Sequence, residues 1–250
     1  MRILAVTLAR GGSKGIPNKN MYDINGRPLL YYTINEVKKS KYITDYFVSS
    51  DSDDILKYSK LQGCNTIKRP DELASDEASS ADALLHALDI ASVAGRHKYS
   101  LQDPYDLIVE IMATNPLKTV EDIDAVIEKL VQTKADSVVS VVQVQDHHPS
   151  RLKYIQDDQL KDFYPEPTES RRQDLTPNAY IRNGSIYATT IESFRTHKRR
   201  LGPDTRPYIM SEDHTVNIDR LMDLHLAEII IKARDYYDDM KQLSGANGYL

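Results

Sequence analysis

A single cysteine, Cys64, stands in a chain of 250 residues. That excludes an internal disulfide framework and any cysteine-built zinc site. No apolar run approaches the roughly 18 residues needed to span a bilayer, and the apolar run after Met1 is too short for a signal peptide. Basic charge is not in excess either: 32 Lys and Arg face 37 Asp and Glu, a formal net charge of −5. A mildly acidic chain without a basic tail is a poor partner for nucleic acid. There is no internal repeat and no low-complexity segment. What remains is a chain with 40% hydrophobic residues, enough for one sizeable core. The expectation is a soluble, cytoplasmic, globular protein.

Short apolar runs alternate with longer segments of helical period. The pattern predicts strands at Ile3–Leu8, Tyr46–Ser50, Asn65–Lys68, Asp106–Met112 and Ser137–Val144. Helices are predicted at Pro28–Ser40, Ser52–Gln62, Ser80–Ala94 and Thr119–Lys134, the last capped by Thr119 with Glu121 and Asp122 in its first turn. Such βα alternation argues for a mostly parallel sheet in a three-layer α/β arrangement. The pattern breaks over residues 145–182, rich in proline and charge, with a short strand candidate at Leu152–Ile155. This stretch reads as an excursion from a single domain spanning 1–250. Gly184–Thr189 and Thr215–Ile218 read as strands returning to the sheet. Leu221–Gln242 reads as a long helix and Ser244–Leu250 as a loose tail.

The strongest chemical feature follows the first strand, from Ala9 to Asn20. Gly11, Gly12 and Gly15 let the backbone approach a ligand and point several N–H groups one way, while Arg10, Lys14 and Lys19 add positive charge. In an open α/β sheet, ligands bind outside the C-terminal ends of strands, where this loop must lie. A polyphosphate suits it, although the spacing matches neither a Walker A loop nor a GxGxxG fingerprint.

The wording of this loop, ARGGSKGIPNKN, resembles the N-terminal signature of the acylneuraminate cytidylyltransferases, the CMP-sialic acid synthetases. A second segment, Arg69 to Ser80 (RPDELASDEASS), is similar to that family's RPxELASDxASS. His147-His148-Pro149, Arg172-Gln173, Asn183 to Tyr187, and Asn217-Ile218-Asp219 follow in the family's order. The resemblance implies a Rossmann-like nucleotidyltransferase fold, three α/β/α layers with an inserted dimerisation subdomain, CTP as co-substrate, Mg²⁺ and a homodimer. It implies that CMP passes from CTP to the anomeric hydroxyl of a nonulosonic, sialic-acid-like sugar acid, with release of pyrophosphate. A CMP-Kdo synthetase, or a non-catalytic protein that binds CTP or a CMP-sugar, stands as the alternative.

By the same resemblance, Arg10, Gly11, Gly12, Ser13, Lys14 and Lys19 surround the CTP phosphates, with Lys14 and Arg10 stabilising charge during transfer. Asn20, Arg69 and Ser80 fall on positions that hold the cytosine and ribose. Read by themselves, Arg69 is an ordinary strand exit and Ser80 a helix N-cap. Asp219 is the implied metal ligand and catalytic carboxylate, alternatively the N-cap of the last helix. Its family partner is an aspartate, and this chain carries Asn217 there, which lacks the charge. Arg172 and Arg182 supply guanidinium groups for the sugar's carboxylate, with Asn183 beside them. Arg171 and the run His197–Arg200 read as solvated charge.

At Glu110–Lys118 the family commonly reads LQPTSPLR. Here Met112 replaces the glutamine that faces the acceptor, Asn115 the serine and Lys118 the arginine. An apolar residue beside the sugar favours a deoxy, acylated nine-carbon acid, such as legionaminic or pseudaminic acid, over N-acetylneuraminate. His147 and His148 do not make a metal site, because neighbours in an extended chain point to opposite sides.

Overall fold

The first strand, β1 (Ile3–Leu8), is apolar at almost every position because both its faces are covered. A computed structural model of the chain describes residues 1–13, 15–95, 103–144, 146–165, 171 and 174–246, with side chains to Tyr237. Along β1 the pleat sends Ile3 and Ala5 to one face and Leu4 and Val6 to the other. The first face meets α1 (Leu29–Lys39), α2 (Asp53–Leu61) and α4 (Val120–Thr133). The second meets α3 (Ser80–Gly95) and α5 (Ile191–His197). This is the expected three-layer α/β/α arrangement.

Seven strands form the central sheet in the order β11-β7-β10-β6-β1-β4-β5. The others are β4 (Asp45–Ser50), β5 (Asn65–Lys68), β6 (Leu107–Ile111), β7 (Ser137–Gln143), β10 (Tyr180–Thr190) and β11 (Thr205–Ile209). Six run parallel, while β10 runs antiparallel between β6 and β7. Two small hairpins stand apart, β2 (Asp23–Ile24) with β3 (Arg27–Pro28), and β8 (Lys153–Gln156) with β9 (Gln159–Asp162). The second hairpin occupies the predicted excursion. Asp157 and Asp158 both take positive φ at its tip, the backbone a tight two-residue turn demands.

The structure departs from the sequence pattern in four places. Thr215–Ile218 is not a strand. It is an irregular segment after a 3₁₀ turn at Glu212–His214, held by the Ile218 N–H donating to the Thr114 carbonyl at 2.8 Å. The remaining parallel strand is β11, which the pattern did not signal, because Pro207 interrupts it and its side chains are largely exposed. Proline is tolerated there because β11 is an edge. The pattern does not signal helix α5 either; Thr190 caps it by accepting from the Ser193 N–H. Helix α6 (Leu221–Ala246) runs on through residues 244–246 of the supposed tail; residues 247–250 lie outside the described residues.

Thr119 caps α4 as expected. Its hydroxyl accepts from the Asp122 N–H and the Asp122 carboxylate accepts from the Thr119 N–H. Asp122 is buried and also accepts from Tyr208 and pairs with His214, so this cap ties three elements together. Thr119→Ala is expected to cost about 1 kcal/mol in denaturant unfolding, and Thr119→Ser much less. An alanine variant as stable as the parent would show that the cap contributes nothing.

Candidate active site

The C-terminal ends of β1, β5 and β6 converge on one cleft of about 420 Å³. Its rim is the segment after β1. The Ala9 N–H donates to the Ser49 carbonyl at 2.9 Å, and the Gly11 N–H to Asp51 Oδ1 at 2.9 Å. Glycine is required at two points. A Cβ on Gly11 would lie 2.9 Å from that of Ser52, and one on Gly15 would lie 2.7 Å from the Asp219 carbonyl oxygen. No such crowding exists at Gly12. Asn20 is buried, and its amide donates to the Arg10 carbonyl at 2.9 Å, folding the segment back on itself.

The cleft gathers Arg10, Ser13, Lys19, Asn20, Arg69, Ser80, Met112 and Asp219 from the expected set. Arg10 pairs with Asp76 at 2.8 Å. The Lys19 ammonium donates to the Ile218 carbonyl at 2.6 Å and lies 3.3 Å from Asp219 Oδ1. Lys14 and Arg172 lie outside the described residues.

Arg69 is more than a strand exit. Only 5% exposed, it donates to the carbonyls of Ser49 and Leu73, while its Nε–H is buried without a partner. Burial pulls its pKa below the usual arginine value. A guanidinium held at the wall of a cleft by main-chain carbonyls is suited to an acceptor-rich ligand edge. Ser80 is not the helix cap. Ser79 does that, accepting from the Asp82 N–H at 3.0 Å and donating to the Asp82 carboxylate. Ser80 is thereby left to the cleft.

Asp219 is likewise free of capping. The start of α6 is held by Asp223, which accepts from the N–H groups of Asp219 and Arg220. The Asp219 carboxylate is well exposed and accepts instead from Lys19 and, at 2.7 Å, from the Asn217 amide. Asn217 packs against Gly184, where φ is +62° and an added Cβ would sit 3.3 Å from Asn217 Oδ1. Among the described residues no cluster of three or more His, Cys, Asp or Glu side chains is arranged to hold a metal. One exposed carboxylate beside the glycine-rich loop still fits Mg²⁺, which commonly takes one or two carboxylates plus substrate phosphates.

Several expected residues lie elsewhere. Asn115 is fully buried off the cleft, with neither end of its amide paired. Asn183 is engaged with the Ser140 hydroxyl, the Met210 sulfur and Thr215. Arg182 is exposed on β10 and does not line the cleft. His148 uses both ring nitrogens, on Ser150 and on the Pro177 carbonyl. Lys118 is buried on the other face, donating to Thr33 Oγ1 at 2.7 Å and to the Asn115 carbonyl.

Two contributors were not anticipated. Glu110, 1% exposed in the middle of an otherwise apolar strand, lines the cleft. Arg200, read as part of a solvated run, reaches its carboxylate at 3.0 Å. Burial raises the Glu110 pKa, and Arg200 and Arg69 oppose that shift. Only the isolated charge in the strand pattern hinted at it.

A sequence model of the cytidylyltransferases matches residues 4–207, which take in the loop, Arg69 and β6. The chain belongs to the cytidylyltransferase family. Two curated relatives illustrate its place in that family. A pseudaminic acid cytidylyltransferase from Campylobacter jejuni is 28% identical over 234 residues, 93% of this chain and 97% of that protein. An N-acylneuraminate cytidylyltransferase from Escherichia coli is 31% identical over 231 residues, 90% of this chain but 51% of that protein. Among solved structures, CMP:2-keto-3-deoxy-manno-octonic acid synthetase complexed with CTP superposes with a TM-score of 0.70 at 15% identity, covering 94% of this chain and all of that one. At that identity the likeness is one of fold, the nucleotidyltransferase fold expected.

Lys118 makes this cytidylyltransferase's stability depend on pH. Burial pushes its ammonium down to about 7 from the usual 10.5. Between those values the unfolded chain binds the proton and the folded chain does not, so stability rises with pH across that window. Below about 7 both forms are protonated and the slope vanishes. Lys118→Met is expected to remove the rise, a difference on the order of a few kcal/mol by pH 10. Parallel stability curves for variant and parent between pH 7 and 10 would show that Lys118 stays charged in the fold.

Proposed function

We propose that this cytidylyltransferase transfers CMP from CTP to the anomeric hydroxyl of a nonulosonic sugar acid, releasing pyrophosphate, as a Mg²⁺-dependent cytoplasmic homodimer. The observation that carries the reading is the joining, in one cleft, of a glycine-rich cationic rim, the buried and under-used Arg69, and the Asp219 carboxylate. The acceptor class is supported by the names of the relatives matched along nearly the whole chain. The Kdo alternative rests on a likeness of fold alone.

In this reading the rim amides, Arg10, Lys14 and Lys19 hold the triphosphate, and Arg69, Asn20 and Ser80 hold the cytosine and ribose. The acceptor hydroxyl attacks the α-phosphorus and loses its proton as the bond to pyrophosphate breaks. Such transfers depend on alignment and charge neutralisation more than on a protein nucleophile. Mg²⁺, held by Asp219 with Asn217 beside it, would neutralise charge on the phosphate oxygens. Arg10 and Lys19 keep their cationic heads at the cleft through Asp76 and Asp219, in place before CTP arrives. Arg172 is assigned to the sugar's carboxylate by resemblance. The homodimer is supported by the hairpin β8–β9 and the residues after it, which present Ile155, Leu160, Phe163 and Tyr164 to solvent.

The test is pyrophosphate release from CTP, Mg²⁺ and a panel of 2-keto-3-deoxy sugar acids. Turnover with nine-carbon acids supports the reading, turnover with Kdo alone replaces it, and CTP binding without turnover points to a sensor. Asp219→Asn should abolish most Mg²⁺-dependent turnover. Asn217→Asp, by setting a second carboxylate beside the first, should tighten apparent Mg²⁺ affinity roughly tenfold, the equivalent of about 1.4 kcal/mol. A Mg²⁺ titration unmoved by either change would mean that the ion is held by CTP alone.

Met112 lines the cleft and packs beside Val139, Val141 and Tyr187, an apolar floor for the acceptor. A hydroxyl placed there finds no partner, so deoxy, acylamino nine-carbon acids should be preferred over N-acetylneuraminate by roughly 10–200-fold in kcat/KM. Met112→Gln should narrow that ratio with the KM for CTP nearly unchanged. Equal specificity constants for both sugar types in the parent would refute the apolar-floor argument.

A further inference from the structure

Glu110 is a carboxylate in a strand whose other four residues are Leu107, Ile108, Val109 and Ile111, all buried. Placing it there is expensive unless a cation accompanies it. Arg200 supplies that cation from 90 residues away, 3.0 Å from Oε2, with its guanidinium lying over the Tyr187 ring at 4.4 Å from the centroid. Among the described residues Arg200 is its one hydrogen-bond partner, and Glu110 still lines the cleft. A plain structural role does not call for a charge at this position, since an apolar residue would pack against Ile108 at no desolvation cost.

The sheet order says which ligand the carboxylate faces. Strand β6 lies between β1 and β10. The glycine-rich rim leaves β1, so the phosphates belong to that side. Glu110 has Val6 of β1 and Tyr187 of β10 as its register neighbours, and its ion pair comes from the β10 side, through Arg200 lying over the Tyr187 ring. Met112, two residues on and therefore on the same face, continues the floor in that direction.

We propose that Glu110, clamped by Arg200, is a specificity-determining residue for the acceptor, accepting a hydrogen bond from an O–H or amide N–H of the sugar acid. The proposal rests on the function proposed above. Arg200 is a positioning residue, holding the carboxylate while leaving the pair neutral overall, so that an anionic sugar acid is not repelled. An ionised carboxylate only accepts, which makes a donor on the sugar obligatory at this point and penalises analogues that lack one.

The test compares Glu110→Gln with the parent, using CTP, Mg²⁺ and the nine-carbon acid of the panel that the parent turns over best. The expected result is a roughly 10- to 100-fold fall in kcat/KM for the acceptor, carried mainly by KM, with the KM for CTP within about two-fold. CTP binding measured without acceptor should be unchanged, which also reports that the variant is folded. Should the glutamine variant not fold, Glu110→Asp keeps the charge but withdraws it by one methylene and should show the same acceptor-selective loss. Arg200→Met should show that loss too, and Arg200→Lys should restore most of it. Unchanged acceptor kinetics in a folded Glu110 variant would overturn the proposal, as would a loss confined to CTP, which would place the carboxylate on the ribose. A parent inactive towards every sugar acid would instead overturn the function itself, and this assignment with it.

Discussion

Lys19 donates to the carbonyl of Ile218, 199 residues further along the chain, and much of the cleft depends on that closure. The glycine-rich segment alone has few apolar residues with which to hold a shape. It is fixed by being pressed onto the irregular segment ahead of α6. Gly15 sits too close to the Asp219 carbonyl to carry a side chain, and Ile16 and Ile218 are both fully buried with Leu224 and Ala227 of α6. Each such isoleucine contributes about 1.5–3 kcal/mol on burial. The same segment is tied to the end of β6 through Ile218 and Thr114. The glycine-rich rim, the Asp219 carboxylate and the segment carrying Met112 and Thr114 therefore share one support.

Charge is buried around this support unusually often. Arg69, Glu110 and Lys118 are each at most 5% exposed, and they use three different solutions. Glu110 has a paired cation. Arg69 leans on main-chain carbonyls and keeps one donor unused. Lys118 has a hydroxyl and a carbonyl but, among the described residues, no ion pair in contact, and burial lowers its pKa. The first two border the cleft, where unsatisfied or costly polar groups are what ligand recognition requires. Lys118 lies off the cleft and has a structural part, bracing the turn after β6 from behind.

Much of the fold was legible because hydrophobic period and covered faces agree over the first 143 residues. The strands at Ile3–Leu8 and Asn65–Lys68 have the predicted bounds, and α1 to α4 fall within one residue of theirs at each end. Legibility failed where tertiary setting overrides local pattern. An edge position allows Pro207 in β11, and Val216 and Ile218 are apolar because they meet α6, not because they pair in a sheet. The cleft residues of the first 80 positions could be read because the chain delivers them from loops at strand ends. Glu110 and Arg200 could not, since their meaning lies in a contact between positions 90 apart. Ser79 and Asp223 were equally silent, though both explain why their neighbours Ser80 and Asp219 are free for the cleft.

The antiparallel course of β10 has a consequence for how the chain can change. Because β7 runs with β6 and β10 against both, the excursion between them leaves and re-enters the sheet at the same edge, the one that carries the cleft. Its ends are held side by side by strand pairing, the Val144 N–H donating to the Ala179 carbonyl at 2.9 Å. A loop closed in this way becomes only about 0.6 kcal/mol costlier with each doubling of its length. The arm bearing β8 and β9 can therefore lengthen, shorten or be exchanged while the sheet scarcely registers the difference. Its composition is left free to follow whatever it must touch.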